Sequence, residues 1–166
     1  MSERKRFLGW ENPGKALITG ASAGIGLSFA QQLAQRGFDL ILLARRRERL
    51  ERTAKKLESD CATRCEIVTA DLSDMDQIKQ TADLLQTVDG LDVLINNAGF
   101  ATIGPFAGVP LEKSMRMLHL HTTACVMLKI FIPGWKNRFY VWILQHSAAA
   151  RRIVQNSVKK RSQKKR

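Results

Sequence analysis

Four short apolar runs punctuate the first hundred residues, each followed by a longer stretch of mixed polarity. They are KALIT (15–19), FDLILLA (38–44), the start of CEIVTADLS (65–73) and LDVLIN (91–96). The runs are close to continuous in apolar residues, the mark of strands covered on both faces rather than half-exposed ones. Between them the apolar positions switch to helical spacing. Ile25, Phe29 and Leu33, with Ala30 and Ala34, form one buried stripe that Gly37 ends. RRRERLERTAKKLESD is a charged helix with Glu48–Arg52 and Glu51–Lys55 at the spacing of side-chain pairs. Ser73 is the expected N-cap of the helix DMDQIKQTADLLQTV, which Gly90 ends. NNAGFATIGPFAGVP reads as a glycine-rich loop, and LEKSMRMLHLHTTACVMLKIFI as a long helix ended by Pro133 and Gly134. Strands alternating with helices predict an α/β fold with a parallel sheet.

Beyond Gly134 the pattern weakens. RFYVWIL (138–144) predicts a fifth strand and HSAAA a turn, while RRIVQNSVKKRSQKKR carries eight positive charges and little to bury. The expected organisation is a nucleotide-binding domain over residues 1–134, a strand and turn over 135–150, and a basic, disordered tail over 151–166.

Composition adds one domain's worth of chain, 166 residues with 45% hydrophobic and 25% charged, as in soluble globular proteins. The start MSERKRFLGWENPGK lacks the apolar run of a signal peptide. No uncharged apolar run is long enough for a membrane span; the best, ACVMLKIFIPGW, is interrupted by Lys129 and Pro133. Cys61, Cys65 and Cys125 are an odd number without a secretion signal, which predicts free thiols in a reducing, cytoplasmic compartment. Paired ligand spacings are missing, so no metal is expected.

The net charge of +12 divides unevenly. Residues 1–112 hold 14 basic and 15 acidic side chains, whereas residues 113–166 hold 13 basic side chains and no carboxylate. A run such as KKRSQKKR could attract nucleic acid or an anionic membrane face through phosphate. No aromatic stacking array or nucleic-acid motif accompanies it, so no specific nucleic-acid partner is expected.

The candidate chemistry sits at TGASAGIG (19–26), between the first strand and its helix. Gly20 permits the sharp turn, Gly24 lets a pyrophosphate approach the main chain, and Gly26 brings the helix close to the sheet. With Ser22, Ala23 and Ile25 between them, these residues offer free backbone N–H groups to an anion. The context, strand then turn then helix, predicts a dinucleotide. Cofactor choice is read at the end of the second strand, where an acid suits NAD and an arginine suits a 2′-phosphate. Here stand Ala44-Arg45-Arg46-Arg47. The arginines could be merely a solvated helix start, yet a first helical turn disfavours cations. Arg45 and Arg46, with Ser22 nearby, therefore favour NADP(H) over NAD(H).

TGASAGIG resembles the TGxxxGxG fingerprint of the short-chain dehydrogenase/reductase family. Asn96-Asn97-Ala98-Gly99 after the fourth strand resembles that family's NNAG, and Asp71 in ADLS its Asp after the third. The resemblance covers about residues 12–133. It implies a Rossmann-type, doubly wound parallel sheet, incomplete at the C-terminus, and hydride transfer between NADPH and a carbonyl or alcohol substrate. It also implies that Asp71 and Leu72 flank the adenine and that Asn97, Ala98 and Gly99 line the ribose. Asn97 could equally be a turn residue satisfying its own backbone.

Catalysis in the family needs a tyrosine, a lysine four residues later, a serine, and an asparagine on the preceding long helix. The asparagine position falls at His121, which also reads as an ordinary half-buried polar residue. Ser147 resembles the serine and reads equally well as a plain turn residue. The tyrosine is missing: the chain's one tyrosine, Tyr140, precedes Ser147 and is followed four residues later by Leu144. The expectation is a truncated or divergent member, inactive in this form, its end even translated out of the ancestral frame. A cofactor sensor without turnover is the alternative. Homo-oligomer and monomer both fit, since the family's contact helices lie partly beyond the end.

Overall fold

The computed structural model describes residues 13–101 and 108–130. The fifth-strand candidate, Tyr140, Ser147, the Pro133–Gly134 stop and the basic tail lie outside the described residues. Four parallel strands form one sheet in the order β3-β2-β1-β4: β1 (Lys15–Thr19), β2 (Asp39–Ala44), β3 (Cys65–Thr69) and β4 (Leu91–Ile95). Helices α1 (Gly24–Ala34), α2 (Arg47–Cys61) and α3 (Met75–Gln86) connect them. After β4 the chain runs through α4 (Leu111–Leu118), a π-helical turn (His119–Thr123) and α5 (Ala124–Ile130). This is the doubly wound parallel architecture that the alternating pattern predicts.

The continuous apolar strands are explained by what lies on each face. Ala16 and Ile18 of β1, Leu40 and Leu42 of β2, and Val93 and Ile95 of β4 face one core with Phe29, Leu33, Leu50 and Leu57. Their neighbours Leu17, Ile41, Leu43 and Leu94 face the other, with Ile78, Leu85, Leu120 and Leu128. Register follows, Leu17 lying opposite Ile41 on one side and Leu94 on the other. Side chains alternate across a strand, so two covered faces demand apolar residues at every position. On α1 the small residues Gly26, Ala30 and Ala34 are buried along one stripe, which lets this helix lie close to the sheet.

Four local expectations change. The N-cap of α3 is Asp74, not Ser73: its carboxylate accepts from Asp76 N and Gln77 N at 2.9 and 3.0 Å. Ser73 is instead buried and bonded to Asp71 and Arg116. On α2, Glu51 pairs with Arg47 at 2.8 Å rather than with Lys55, because either neighbour lies one turn away. Arg52 Nε donates to the Glu48 main-chain oxygen rather than to its carboxylate. Finally, the long helix is not uniformly α; a π turn interrupts it at the position of His121.

Candidate functional site

In open parallel α/β sheets, ligands sit beyond the carboxyl ends of the strands, where connections leave in opposite directions. Here that place lies between β1 and β4. The turn after β1 and the NNAG loop after β4 meet there. Gly20 has φ of +70°, open to glycine at little cost. A Cβ at Gly20 would stand 2.9 Å from Asn97 Nδ2, and one at Gly26 would stand 2.3 Å from the Gly20 carbonyl oxygen. Gly26 is therefore required by packing alone, before any ligand is considered.

Thr19 ties the two loops together, and sequence reading missed it. Its buried hydroxyl donates to the Ile95 carbonyl at 3.3 Å and accepts from the N–H groups of Asn97 and Ala98, each at 2.9 Å. Asn97 Nδ2 returns a bond to the Thr19 carbonyl at 3.0 Å. Asn97 thus secures a neighbouring strand rather than its own backbone. The one signal available was a hydroxyl at the end of an apolar strand, and its partners lie more than seventy residues away.

Whether the turn fits a dinucleotide is decided at the start of α1. Its N-cap is Ala23, which has no acceptor, and its first turn holds no acid. The first N–H groups, at Gly24, Ile25 and Gly26, therefore lack a capping side chain. The contrast with α3, closed by Asp74, is internal to the chain. An open, uncapped helix start beside glycines is what a diphosphate requires, so the residues fit the group.

On the far side of β2, Asp71 and Leu72 follow β3, with Leu72 buried in the core. Asp71 Oδ1 accepts from Ser73 N and Ser73 Oγ at 3.0 and 2.7 Å, and its own N–H donates to Gln77 at 2.8 Å. Arg116, reaching from α4, places Nη2 3.0 Å from Asp71 Oδ2 and 2.9 Å from Ser73 Oγ. Burial alone would raise the Asp71 carboxyl; the two Ser73 hydrogen bonds, Arg45 and Arg116 together hold it below its ordinary value. Arg116 was also missed, because only the fold brings α4 onto the β3–α3 loop. Arg45 and Arg46 are exposed just beyond β2, and Ser22 stands beside α2 across a surface hollow.

His121 lies in the π turn, exposed, with Nε2 2.8 Å from the Phe100 carbonyl oxygen. That oxygen can only accept, so Nε2 is the donor. The site thereby receives a side chain from the long helix at the far end of the NNAG loop. π turns recur at functional positions because the extra residue re-aims its neighbours. Of the expected site residues, those from Gly20 to Gly26, Arg45, Arg46, Asp71, Leu72 and Asn97 to Gly99 lie at the strand ends, the adjoining loops and the helix starts, and His121 reaches Phe100 from the long helix. Ser147 falls outside the described residues.

The three cysteines are free thiols. Burial, followed by Glu58, Asp39 and neighbouring Cys61, pushes the Cys65 thiol up to about 12, so it stays protonated at neutral pH. No helix among the described residues is long and apolar enough to cross a membrane.

Comparison with known proteins fits this geometry. The family model described as short chain dehydrogenase matches residues 14–151, a range that runs past Gly134, where the sequence motifs end. The very-long-chain 3-oxoacyl-CoA reductase-A of Danio rerio is 33% identical over 140 residues, covering 81% of this chain and 44% of that protein. The 17-beta-hydroxysteroid dehydrogenase type 3 of Danio rerio is 36% identical over 150 residues, covering 83% and 47%. Among solved structures, a short-chain dehydrogenase from Sphingobium yanoikuyae in complex with NADPH superposes with a TM-score of 0.70 at 36% identity, covering 73% of this chain and 47% of that one. The chain spans less than half the length of these relatives.

Proposed function

Because the chain belongs to the short-chain dehydrogenase family, we propose that it binds NADP(H) along the carboxyl ends of β1 to β4. The observation that carries this reading is the uncapped start of α1 beside Gly20 and Gly26, held against the NNAG loop by Thr19. The N–H groups of Gly24, Ile25 and Gly26 hold the diphosphate. Asp71 and Leu72 flank the adenine, and Asn97, Ala98 and Gly99 line the ribose side. An ionised carboxylate accepts about four hydrogen bonds. Ser73 and Arg116 supply three to Asp71, which leaves one acceptor position for an exocyclic amine. Arg45, Arg46 and Ser22 favour the 2′-phosphate; the NADPH-bound relative supports that preference by analogy.

A bound nicotinamide supplies or takes a hydride. Proton transfer to a substrate oxygen then needs an acid, and this 166-residue chain contains no Tyr-x-x-x-Lys pair. Loss of general acid catalysis costs roughly 10²- to 10⁴-fold. His121, at the family's asparagine position, and Ser147, at its serine, are the remaining polar groups, and they do not replace the phenol. The chain by itself is therefore a cofactor-binding module with little or no turnover on a carbonyl or alcohol substrate, working in the reducing cytoplasm that its free thiols suit.

Isothermal titration with NADPH and NADH tests this. Binding of NADPH in preference to NADH, with a rise in melting temperature that Arg45→Glu abolishes, is the expected result. A folded chain that ignores both at millimolar concentration overturns it.

A further inference from the structure

Helix α4 lies on the molecule without a buried residue, and its N-cap, Pro110, makes no side-chain bond. From this helix Arg116 crosses to the loop between β3 and α3. Its Nη2 lies 3.0 Å from Asp71 Oδ2 and 2.9 Å from Ser73 Oγ, and its Nε lies 3.2 Å from the same hydroxyl. Ser73 Oγ is in turn 2.7 Å from Asp71 Oδ1, which also accepts from Ser73 N at 3.0 Å. We propose that Arg116 is a positioning residue: it holds the Asp71 carboxylate in place to read the exocyclic amine of a bound coenzyme, and so ties occupancy of the adenine end to the docking of α4. In this it rests on the adenine placement proposed above.

Donor and acceptor roles fix the direction of the network. A guanidinium donates and has no acceptor, so the Ser73 hydroxyl must meet it with lone pairs. Two Arg116 nitrogens take up those lone pairs, and the one hydroxyl proton is left for Asp71 Oδ1. Ser73 is buried, which keeps solvent from reversing the order. Asp71 is consequently held at both oxygens, Oδ1 by Ser73 and Oδ2 by Arg116. A carboxylate held at one oxygen can still turn about its Cβ–Cγ bond; one held at both cannot. Burial opposes its ionisation, and Ser73, Arg45 and Arg116 restore it. Of about four acceptor positions on the ionised group, the one still open lies on Oδ2, the oxygen that Arg116 touches.

Sharing that oxygen makes the effect reciprocal. Without Arg116 the amine meets a carboxylate that can turn away, and binding must first immobilise it. A ligand that favours the docked arrangement then holds α4 down by the same factor. Ser73 passes the restraint on, since its hydroxyl bonds to both partners.

The test compares the full chain with its Arg116→Gln variant, titrating NADPH and its hypoxanthine analogue, in which a carbonyl oxygen replaces the exocyclic amine. Glutamine is a good helix former at this partly exposed position, so the fold should persist. Wild type should bind NADPH roughly ten-fold or more tightly than the analogue, whose oxygen faces an acceptor. In the variant that ratio should fall to about three-fold or less through weaker NADPH binding, with the analogue changed by less than about two-fold. Equal weakening of both ligands means that Arg116 only secures α4, and it overturns the positioning role; so does an unchanged ratio. A wild-type ratio near one removes Asp71 as the reader of the amine, and the proposal with it, while leaving the glycine turn as the diphosphate site. Binding of neither ligand by wild type fails the dinucleotide reading itself, and the proposal falls too. Hydrogen exchange over 111–118 checks the reverse direction. At equal saturation NADPH should slow it in wild type by more than the analogue does. Equal slowing, or acceleration as the amine displaces Arg116, overturns the coupling.

Discussion

The glycine turn and the long helix are both parts of the candidate site, yet they are built in opposite ways. The turn is overdetermined. Gly20, Gly26, Thr19 and Asn97 sit within contact or hydrogen-bond distance of one another, and each closes off alternatives for the next. The helix from Leu111 to Ile130 is attached lightly. No residue of α4 is buried, and Leu111, Met115, Leu118 and Val126 expose much of their apolar surface. A narrow stripe of Leu120, Ala124 and Leu128 reaches the core. Beyond that stripe, two polar threads hold it among the described residues, Arg116 to Asp71 and Ser73, and His121 to Phe100. The glycine-turn end is thus a property of neighbouring strands and turns. The His121 end depends on a helix that packs on the core through one narrow stripe.

The largest effect should come from breaking the turn. Gly26→Ala forces a Cβ to within 2.3 Å of a main-chain oxygen, which cannot give way as a side chain would. Helix α1 must move off the sheet, at a cost of about 3 kcal/mol or more. Denaturant unfolding should show it, with coenzyme binding lost in parallel. Gly108→Ala meets nothing within 4 Å and is the matched control. Similar midpoints for the two variants would mean that the turn is not rigid.

Thr19→Val comes next. It keeps the shape of the strand end and removes the oxygen that accepts from Asn97 and Ala98. Two partly buried N–H groups then lack partners, at about 1–3 kcal/mol for each that stays dry. The expected loss is roughly 2–4 kcal/mol by denaturant unfolding, with hydrogen exchange at Asn97 and Ala98 accelerated first. A loss below about 0.5 kcal/mol would show that water replaces the hydroxyl.

What could be read from the sequence divides along the same line. Continuous apolar strands and the spacing of Gly20, Gly24 and Gly26 are local signals, and the sheet and turn follow from them. Ser73 misled because Asp74 beside it is an equally good cap. What separates them is Arg116, more than forty residues away, which engages Ser73. Glu51 had a cation one turn away on either side, so spacing alone could not choose Arg47. The π turn at HLHTT carries neither proline nor glycine to announce it. Nonlocal polar contacts account for Thr19, Ser73 and Arg116; the Glu51 pair and the π turn are local choices that residue spacing does not decide.

A smaller effect separates the first polar thread from the core. The Asp71 carboxyl is depressed in the folded chain, so its contribution to stability is present above its unfolded value and lost as pH falls through the folded one. Arg116→Gln removes one of the groups that depress it. The variant should lose roughly 0.2–1 kcal/mol at neutral pH, as partly exposed ion pairs do. Its acid unfolding should begin at a higher pH than that of wild type. In an Asp71→Asn background the Arg116 substitution should leave the acid midpoint unchanged. A shift that persists there would assign the effect to another carboxylate.

An effect of similar size tests whether the second thread, from the NNAG loop to the long helix, carries energy at all. A Cβ at Gly99 would stand 2.7 Å from His121 Cε1, the end of a side chain that can swing away. Swinging breaks the bond from Nε2 to the Phe100 carbonyl, so Gly99→Ala should cost about 1 kcal/mol, the usual worth of one such bond. In a His121→Ala background there is no ring to displace, and the same substitution should cost only about a few tenths. The coupling in this double-mutant cycle therefore measures the link between the overdetermined turn and the lightly held helix. Equal costs in both backgrounds would mean that His121 touches the loop without restraining it, and the helix would then be tied to the site through Arg116 and its buried stripe alone.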